Sequence, residues 1–317
     1  MIWRGQTHSM TERREKVKAL GVPYKGSKAK LAKEIVDCLP PADCFVDLFA
    51  GGCAVTHAAI LSQKYKKFII NDIDGRGADV FYRVIHGERV PLEWVSRKEF
   101  HERKATDSFV AVIWSFGNDM NSYIYSAETE DIKHAIHIAI TKDDYTECEK
   151  LNIAFQPCAL PLNRLLERRL SITSSIKEMN DTLPMKTKQI AQALERIERI
   201  EAIRQLQRRE GILQQVEPVQ CVDYSKVDIP DNSVIYCDIP YKDTTTGGYE
   251  AIDYERFYDW CERQRNPVFI SEHSMPDERF ELCQSWQKHQ TSSGKGKIRV
   301  VTENLYIPKR RGGVFDD

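Results

Sequence analysis

The chain has 317 residues, of which 41% are hydrophobic and 29% charged, and its formal net charge is −1 at pH 7. This length and apolar content predict one large domain, or a domain with an inserted module, that buries a sizeable core. A nearly neutral chain excludes nucleic-acid binding through overall charge, so any such contact must come from local basic patches.

The nine cysteines include no C-x-x-C pair, which removes the spacing expected of a zinc finger. Scattered cysteines fit a reducing compartment, and no apolar run reaches the length of a membrane span. The start, Met1-Ile2-Trp3-Arg4, lacks the apolar core of a signal peptide. We therefore expect a cytoplasmic protein that needs neither a metal nor a membrane.

The first third of the chain has the pattern of a nucleotide-binding α/β unit. Residues 1–20 are polar and basic and are interpreted as an N-terminal arm. A helix is predicted at 31–39, a strand at 44–49 followed by a glycine turn, a helix from Ala54, and a second strand at 67–71. The series strand, glycine turn, helix, strand and acid is typical of a nucleotide site.

The middle of the chain interrupts this alternation. Residues 87–211 mix polar, aromatic and helical segments, and the spacing of apolar residues predicts a long charged helix at 187–209. The apolar stripe is too wide for a coiled-coil seam, so we expect this helix to pack on its own domain in a monomer. Strands are predicted again at 220–224, 233–238, 267–271 and 299–307. These patterns predict an α/β catalytic domain formed by 21–86 and 212–317, with 87–211 as a mostly helical insertion.

The tetrapeptide Asp238-Ile239-Pro240-Tyr241 follows the apolar run 233–237 and is the most informative motif. An acid, a proline and an aromatic at the mouth of a buried strand suit the binding of a flat base by its exocyclic amine. Asp238 and the Ile239 carbonyl would accept hydrogen bonds from the amine, and Tyr241 would stack on the base. Because these are also ordinary turn residues, the interpretation depends on the rest of the chain.

A second motif, Asp47-Leu48-Phe49-Ala50-Gly51-Gly52, follows the first predicted strand. Glycines at this point let the backbone approach a ligand closely, although the pattern is not the G-x-G-x-x-G of dinucleotide folds. An acid before such a turn fits a ligand that carries an ammonium and a carboxylate, as S-adenosylmethionine does. Asn71 and Asp72, at the next strand end, are placed to bind two ribose hydroxyls.

Two further motifs extend the candidate cofactor site. Tyr24-Lys25-Gly26-Ser27-Lys28 precedes the first strand, and Lys28 would meet a carboxylate or phosphate of the ligand. Cys221-Val222-Asp223-Tyr224 places another acid at a predicted strand end, where Asp223 would accept a hydrogen bond from the cofactor's adenine. A solvated lysine and a turn aspartate remain the alternative interpretations of these two residues.

Together these motifs resemble the Dam-type family of adenine-specific DNA methyltransferases, especially its phage-encoded members. The resemblance covers almost all of the predicted α/β part, and the middle module matches in position, where the family keeps its target-recognition region. It implies a Rossmann-like fold and transfer of a methyl group from S-adenosylmethionine to the N6 amine of adenine in a short motif of double-stranded DNA. It also implies a bacterial or phage-infected host cell. Protection from a restriction enzyme, a host defence role and phage self-marking all predict the same motifs, so the biological role stays open.

The resemblance also implies which residues act. The catalytic residues would be Asp238, Ile239, Pro240 and Tyr241. The cofactor-binding residues would be Tyr24, Lys28, Asp47, Phe49, Ala50, Gly51, Gly52, Asp72, Asp223, Tyr224 and Asp238. One position departs from the family pattern Asp-Pro-Pro-Tyr, because Ile239 replaces the first proline. Isoleucine keeps the backbone carbonyl and, before a proline, favours extended geometry, so we expect activity to survive with some loss of rigidity.

Three alternatives remain open from the sequence. A cytosine C5 methyltransferase shares the D-L-F-A-G loop, and the chain contains the pairs Pro157-Cys158 and Glu303-Asn304, although both lie far from that loop. The same fold could also act on adenine in RNA or on a cytosine amine. The third alternative is a protein that binds cofactor or DNA and has lost turnover through Ile239.

Candidate DNA contacts are less specific. The basic side chains considered are the N-terminal arm, Arg164, Arg168, Arg169, Lys295, Lys297, Lys309, Arg310 and Arg311. The amide-rich segment 117–123 is a candidate for reading base edges, and the glycine-containing segment 244–249 for closing over the base. A solvated charge or an ordinary loop is the alternative interpretation in each case.

Overall fold

The computed structural model describes residues 20–179, 191–208, 211, 215–240, 252–291 and 298–309. Over these ranges the strands are β1 (Cys44–Asp47), β2 (Lys67–Ile70), β3 (Ser233–Cys237), β4 (Val268–Glu272), β5 (Phe280–Thr291) and β6 (Ile298–Pro308). The α-helices are α1 (Ala32–Cys38), α2 (Ala54–Ser62), α3 (Arg76–Ile85), α4 (Arg97–Arg103), α5 (Ser108–Ile113), α6 (Glu130–Lys142), α7 (Thr146–Lys150), α8 (Leu165–Met179), α9 (Gln192–Ile203) and α10 (Tyr254–Arg263).

The six strands form one sheet in the order β2-β1-β3-β4-β6-β5. The first four strands of this order are parallel, whereas β6 runs antiparallel to both β4 and β5. Strands β1, β3 and β4 are buried along their whole length, as parallel strands covered on both faces should be. The α/β methyltransferase fold is confirmed, and the carboxyl ends of four parallel strands meet at one edge of the sheet.

The sheet separates two apolar clusters. One face packs Phe45, Tyr236 and Leu305 in a cluster that continues without a break into the helices of the middle region, where Trp114 and Ile197 belong to it. The other face packs against α10. The described part of the middle region is helical, with α4 to α9 in the second and third quarters of the chain. The exact division at residues 87 and 211 stays a prediction.

Helix α9 is shorter than the sequence predicted. It ends at Ile203 and continues as a 3-10 turn over Arg204–Arg208, while residues 187–190 and 209 lie outside the described ranges. Its apolar stripe, which includes Leu194 and Ile200, is buried against α3 and α5. The expectation that this helix packs on its own domain is therefore confirmed.

The strand predicted at 220–224 is wrong. Only two isolated parallel bridges join this part of the chain to β2, at Val216 and Gln220. Beyond them the Asn71 side chain forms two hydrogen bonds with the backbone of Val222. A 3-10 helix follows at Tyr224–Lys226. Backbone pairing ends at Gln220 because Val222 bonds to the Asn71 side chain and Asp223 then caps the 3-10 helix.

Strand β5 is absent from the sequence-based prediction. Its described side chains from Glu281 to Ser285 are exposed, so the strand has no strong alternation of apolar and polar residues. It pairs with β6 along its length and forms the edge of the sheet. No helix in the described part of the chain is both long and apolar enough to cross a membrane.

Candidate active site

Four carboxyl groups lie at or just beyond the carboxyl ends of adjacent parallel strands. Asp47 ends β1, Asp72 follows β2, Asp238 follows β3 and Glu272 ends β4. The register pairs Asp47 with Tyr236 of β3, two residues before Asp238. This edge of an open α/β sheet is the usual place for a ligand crevice.

The glycine turn after β1 is packed tightly against Tyr24. A side chain at Gly51, where φ is +50°, would lie 2.8 Å from the Tyr24 ring, and one at Gly52 would lie 2.6 Å from the Val22 carbonyl oxygen. Only glycine fits both positions without displacing backbone or ring. The structure thus brings Tyr24 of the first motif onto the Ala50-Gly51-Gly52 turn, as a shared site requires.

Asp47 is buried beside this turn with an incomplete set of partners. Its Oδ2 accepts a hydrogen bond of 2.6 Å from the Thr56 hydroxyl, whereas Oδ1 is buried without a hydrogen-bond partner. Burial raises the pKa of Asp47 to about 7, and the neighbouring Asp238 and Asp72 also raise it. A buried carboxyl with a vacant acceptor fits a cationic group such as the ammonium of an amino-acid ligand.

Asp72 and Asn71 form hydrogen bonds with backbone groups near the strand ends. Asp72 accepts hydrogen bonds from the backbone N–H groups of Gly51, Asp74 and Gly75, at 2.8, 3.0 and 3.2 Å. The Asn71 amide donates to the carbonyls of Leu48 and Val222. Both N–H groups of the Asn71 side chain therefore donate to backbone carbonyls. The Asp72 carboxylate accepts three hydrogen bonds and has capacity to accept another from a ligand.

Asp223 and Tyr224 lie at a turn that packs against α10. The Asp223 carboxylate receives hydrogen bonds from Ser225 and from both terminal nitrogens of Arg256, at 3.1 and 2.8 Å. Although partial burial opposes the change, these bonds lower the pKa of Asp223. The Tyr224 ring lies 5.7 Å from the Phe49 ring, centroid to centroid, so the two aromatic candidates share one cluster.

The predicted catalytic turn, Asp238-Ile239-Pro240-Tyr241, is described as far as Pro240. Ile239 is buried in the apolar cluster that faces α10. The Pro240 carbonyl accepts a hydrogen bond of 2.7 Å from the Tyr254 hydroxyl, which anchors the turn to α10. Tyr241 lies outside the described residues, and so does the segment 244–249.

Lys28 lies behind Asp238 and is almost completely buried. Its Nζ is 2.5 Å from Asp238 Oδ1 and 3.5 Å from Glu303 Oε1. Burial alone would lower the pKa of Lys28, but the two carboxylates raise it above its ordinary value. The amine that the sequence assigns to a ligand carboxylate or phosphate thus contacts Asp238, the acid predicted to be catalytic.

A comparison with protein families identifies the kind of enzyme to which this chain belongs. The family described as D12 class N6 adenine-specific DNA methyltransferase matches residues 24–264 of the chain. The chain belongs to this family. No curated protein matches the sequence.

As a D12 class enzyme, the protein methylates the N6 amine of adenine in DNA. Methyltransferases of this kind use S-adenosylmethionine in general. The family match also overturns the cytosine C5 alternative. Cys158, the nucleophile which that alternative needs, lies buried between α7 and α8, where its carbonyl accepts a hydrogen bond from Arg168.

Two buried carboxyl groups near Asp238 are absent from the site residues that the sequence predicts. Glu303 of β6 is 1% exposed, and Glu272 of β4 is 4% exposed with its Oε2 lacking a hydrogen-bond partner. Burial raises the pKa of Glu272 to about 7. The signal available was the single acid in each of these two strands, next to apolar residues that predict burial, since a buried acid needs a partner or a function.

Two of the arginines considered as DNA contacts of the methyltransferase are structural. Arg168 is 1% exposed and donates to the carbonyls of Ile140 and Cys158, among others, while Arg169 pairs with Glu198 at 2.8 Å. Neither guanidinium is available to phosphates, so that interpretation is wrong for both. Arg164 is exposed, and Lys295, Lys297, Arg310 and Arg311 lie outside the described residues.

The amide-rich segment is tied to the start of α3. Ser115 and Tyr123 form an antiparallel bridge, and Arg76, at the start of α3, donates to the Met120 carbonyl. Asn121 is exposed, as reading of base edges requires. Among the described residues no group of three or more His, Cys, Asp or Glu is placed to hold a metal ion.

Proposed function

We propose that the protein methylates an adenine that is flipped out of double-stranded DNA within a short motif, with S-adenosylmethionine bound at the glycine turn. The observation that carries the proposal is the adjacency of two acceptors on neighbouring strands, Asp47 at the end of β1 and Asp238 just after β3. One suits the ammonium of the cofactor and the other the amine of the base. A base inside a duplex cannot reach either, so it must leave the stack.

The proposed cofactor site fits the residues present. The vacant Oδ1 of Asp47 would accept the ammonium, and Asp72 would accept the ribose hydroxyls. The glycines let the turn pack closely against Tyr24, with which a Cβ at Gly51 would collide. Phe49, Tyr224 and Asp223 would surround the adenine of the cofactor, and Tyr24 would support the turn.

When bound, S-adenosylmethionine supplies a methyl group on a sulfonium, which is an excellent leaving group. The protein then has to position the amine and match its charge. Asp238 and the Ile239 carbonyl accept hydrogen bonds from the amine and so localise its lone pair on nitrogen. Asp238 holds the proton that the methylated amine releases, while Pro240 and the Tyr254 bond keep the turn rigid. Tyr241 would stack on the base.

Cofactor binding should depend on pH through Asp47. Its pKa of about 7 means that the free protein carries a proton there at pH 6, and the ammonium requires the ionised form. Binding therefore releases a proton, and affinity should rise about tenfold per pH unit between about pH 5 and pH 7 before it levels off. Calorimetric titration in buffers of different ionisation enthalpy would count the proton.

The matched control for this titration is Asp47→Asn, which keeps the hydrogen bond to Thr56 but cannot ionise. It should bind the cofactor more weakly at pH 7 and lose most of the pH dependence. A wild-type affinity that stays flat from pH 5 to pH 7 would remove Asp47 as the ammonium ligand.

Base flipping is tested separately. A duplex that carries 2-aminopurine in place of the target adenine should fluoresce more strongly when the protein and a non-reactive cofactor analogue bind it, because the probe is quenched by stacking. A probe at a non-target adenine is the control. An unchanged signal at the target position, with binding shown by gel shift, would exclude extrusion of the base.

Other parts of the account stay predictions. They are the monomeric state, the target-recognition role of 87–211 and the biological role in restriction-modification or phage protection. The family match favours adenine in DNA over RNA adenine and cytosine amines, which the sequence alone left open as substrates of the same turn.

A further inference from the structure

The catalytic acid belongs to a buried group of three charges. Lys28 and Glu303 are 3% and 2% exposed at their side chains, and Asp238 is 21% exposed. The Lys28 ammonium lies between the two carboxylates, at 2.5 Å from Asp238 Oδ1 and 3.5 Å from Glu303 Oε1. Because water is largely excluded, these charges act on one another with little screening.

Glu303 reaches this group from the antiparallel part of the sheet. It alternates with Leu305 along β6, so its side chain lies on the face of the apolar cluster that contains Leu305 and Tyr236. Asp238 continues the same alternation beyond Tyr236 of β3. Two other described acids lie near Asp238, namely Asp47 at the end of β1 and Glu272 of β4. Burial raises the pKa of each to about 7, so both carboxyls are largely protonated below that pH.

The net charge of this group matters for the reaction. The carbon–sulfur bond breaks with its electron pair left on sulfur, the amine lone pair forms the nitrogen–carbon bond, and one proton passes from the nitrogen to the Asp238 carboxylate. The reacting atoms therefore carry one positive charge until that proton leaves. An amine hydrogen-bonded to Asp238 lies within about 6 Å of the Lys28 ammonium, which opposes this charge.

We propose that Glu303 is a positioning residue that cancels the charge of Lys28, so that Asp238 keeps a net negative charge for the amine. Lys28 and Asp238 alone form a neutral pair, and Glu303 gives the group a net charge of −1. The inference rests on the proposed function of Asp238 and adds the residue that sets its electrostatic environment.

The first test is Glu303→Gln, which keeps the shape of the side chain and removes its charge. We expect kcat for adenine methylation to fall by about 10- to 100-fold, while KM for DNA changes little. Glu281→Gln is the matched control, because Glu281 is an exposed acid on the adjacent strand β5 of the same hairpin. It should leave kcat unchanged.

A double variant separates charge balance from simple structural damage. Lys28→Met/Glu303→Gln leaves Asp238 as the one remaining charge, which restores the net charge of −1. We expect it to be at least about tenfold more active than Glu303→Gln alone. A double variant that is no more active than Glu303→Gln, with both proteins folded by thermal melting, would overturn the proposal.

A binding measurement needs no turnover. Sinefungin carries an ammonium where the cofactor has its sulfonium, whereas S-adenosylhomocysteine is neutral there. We expect the ratio of the affinity for sinefungin to the affinity for S-adenosylhomocysteine to be about tenfold lower in Glu303→Gln than in the wild type. The same ratio should be unchanged in Glu281→Gln. If the wild type fails to methylate adenine but this ratio falls, the proposed function fails and the charge balance stands. An unchanged ratio and an unchanged kcat in Glu303→Gln would remove the role of Glu303.

Discussion

Asp238→Asn lowers the rate of adenine methylation by about 10²- to 10³-fold in our account. The substitution removes the negative charge beside the amine and presents an N–H group where an acceptor is needed. The protein should still fold, because Lys28 keeps Glu303 as its partner at 3.5 Å. Single-turnover methylation of DNA with excess enzyme is the measurement, since it separates chemistry from product release.

The control for this result is Asp231→Asn, which changes an exposed acid just before β3. It should methylate at the wild-type rate and confirm that the loss belongs to the catalytic turn. An Asp238→Asn protein that retains more than a tenth of the wild-type rate would show that the amine does not depend on this carboxylate.

Arg168→Met lowers the free energy of unfolding by about 3 kcal/mol in our account, which corresponds to a melting temperature lower by roughly 6–10 °C. The guanidinium donates to the carbonyls of Ile140 and Cys158, among others, and to Asp143 Oδ1 at 2.6 Å. Removing it leaves buried carbonyl oxygens without donors. Thermal and urea unfolding would measure the change.

Arg164→Met is the matched control, one helical turn before Arg168. Its partner Glu167 and the arginine itself are exposed, so the free energy of unfolding should change by less than about 0.5 kcal/mol. Equal stability of the two variants would contradict the structural role of Arg168. A large loss of DNA affinity in a fully folded Arg168→Met protein would instead restore its interpretation as a DNA contact.

The central strands could be predicted because they are buried on both faces. The apolar runs of β1, β3 and β4 stand out from the sequence, and the acids that follow them mark the site edge. Strand β5 could not be predicted, because its exposed side chains from Glu281 to Ser285 show no clear alternation of apolar and polar residues. Its pairing with β6 depends on tertiary contacts that local sequence does not encode.

Contacts between distant parts of the chain limited the prediction of the site. Lys28 was assigned to a ligand because its partners Asp238 and Glu303 lie near the other end of the sequence. Asp223 was recognised as an acid at a turn, but its bond to Arg256 of α10 requires the folded sheet. The burial of Arg168 could have been predicted from the sequence, because the apolar residues Ile172 and Ile176 lie on the same face of its helix.

The central claim is adenine N6 methylation at a short motif by the Asp238 turn. Its most direct test is to express the wild type and Asp238→Asn in a methylase-deficient bacterium and to sequence the genomic DNA by a method that reports modified bases. We predict N6-methyladenine at one short recurring motif with the wild type and near-background levels with Asp238→Asn. Unmodified adenine in a host that makes folded wild-type protein, or a modification that persists in Asp238→Asn, would contradict the account.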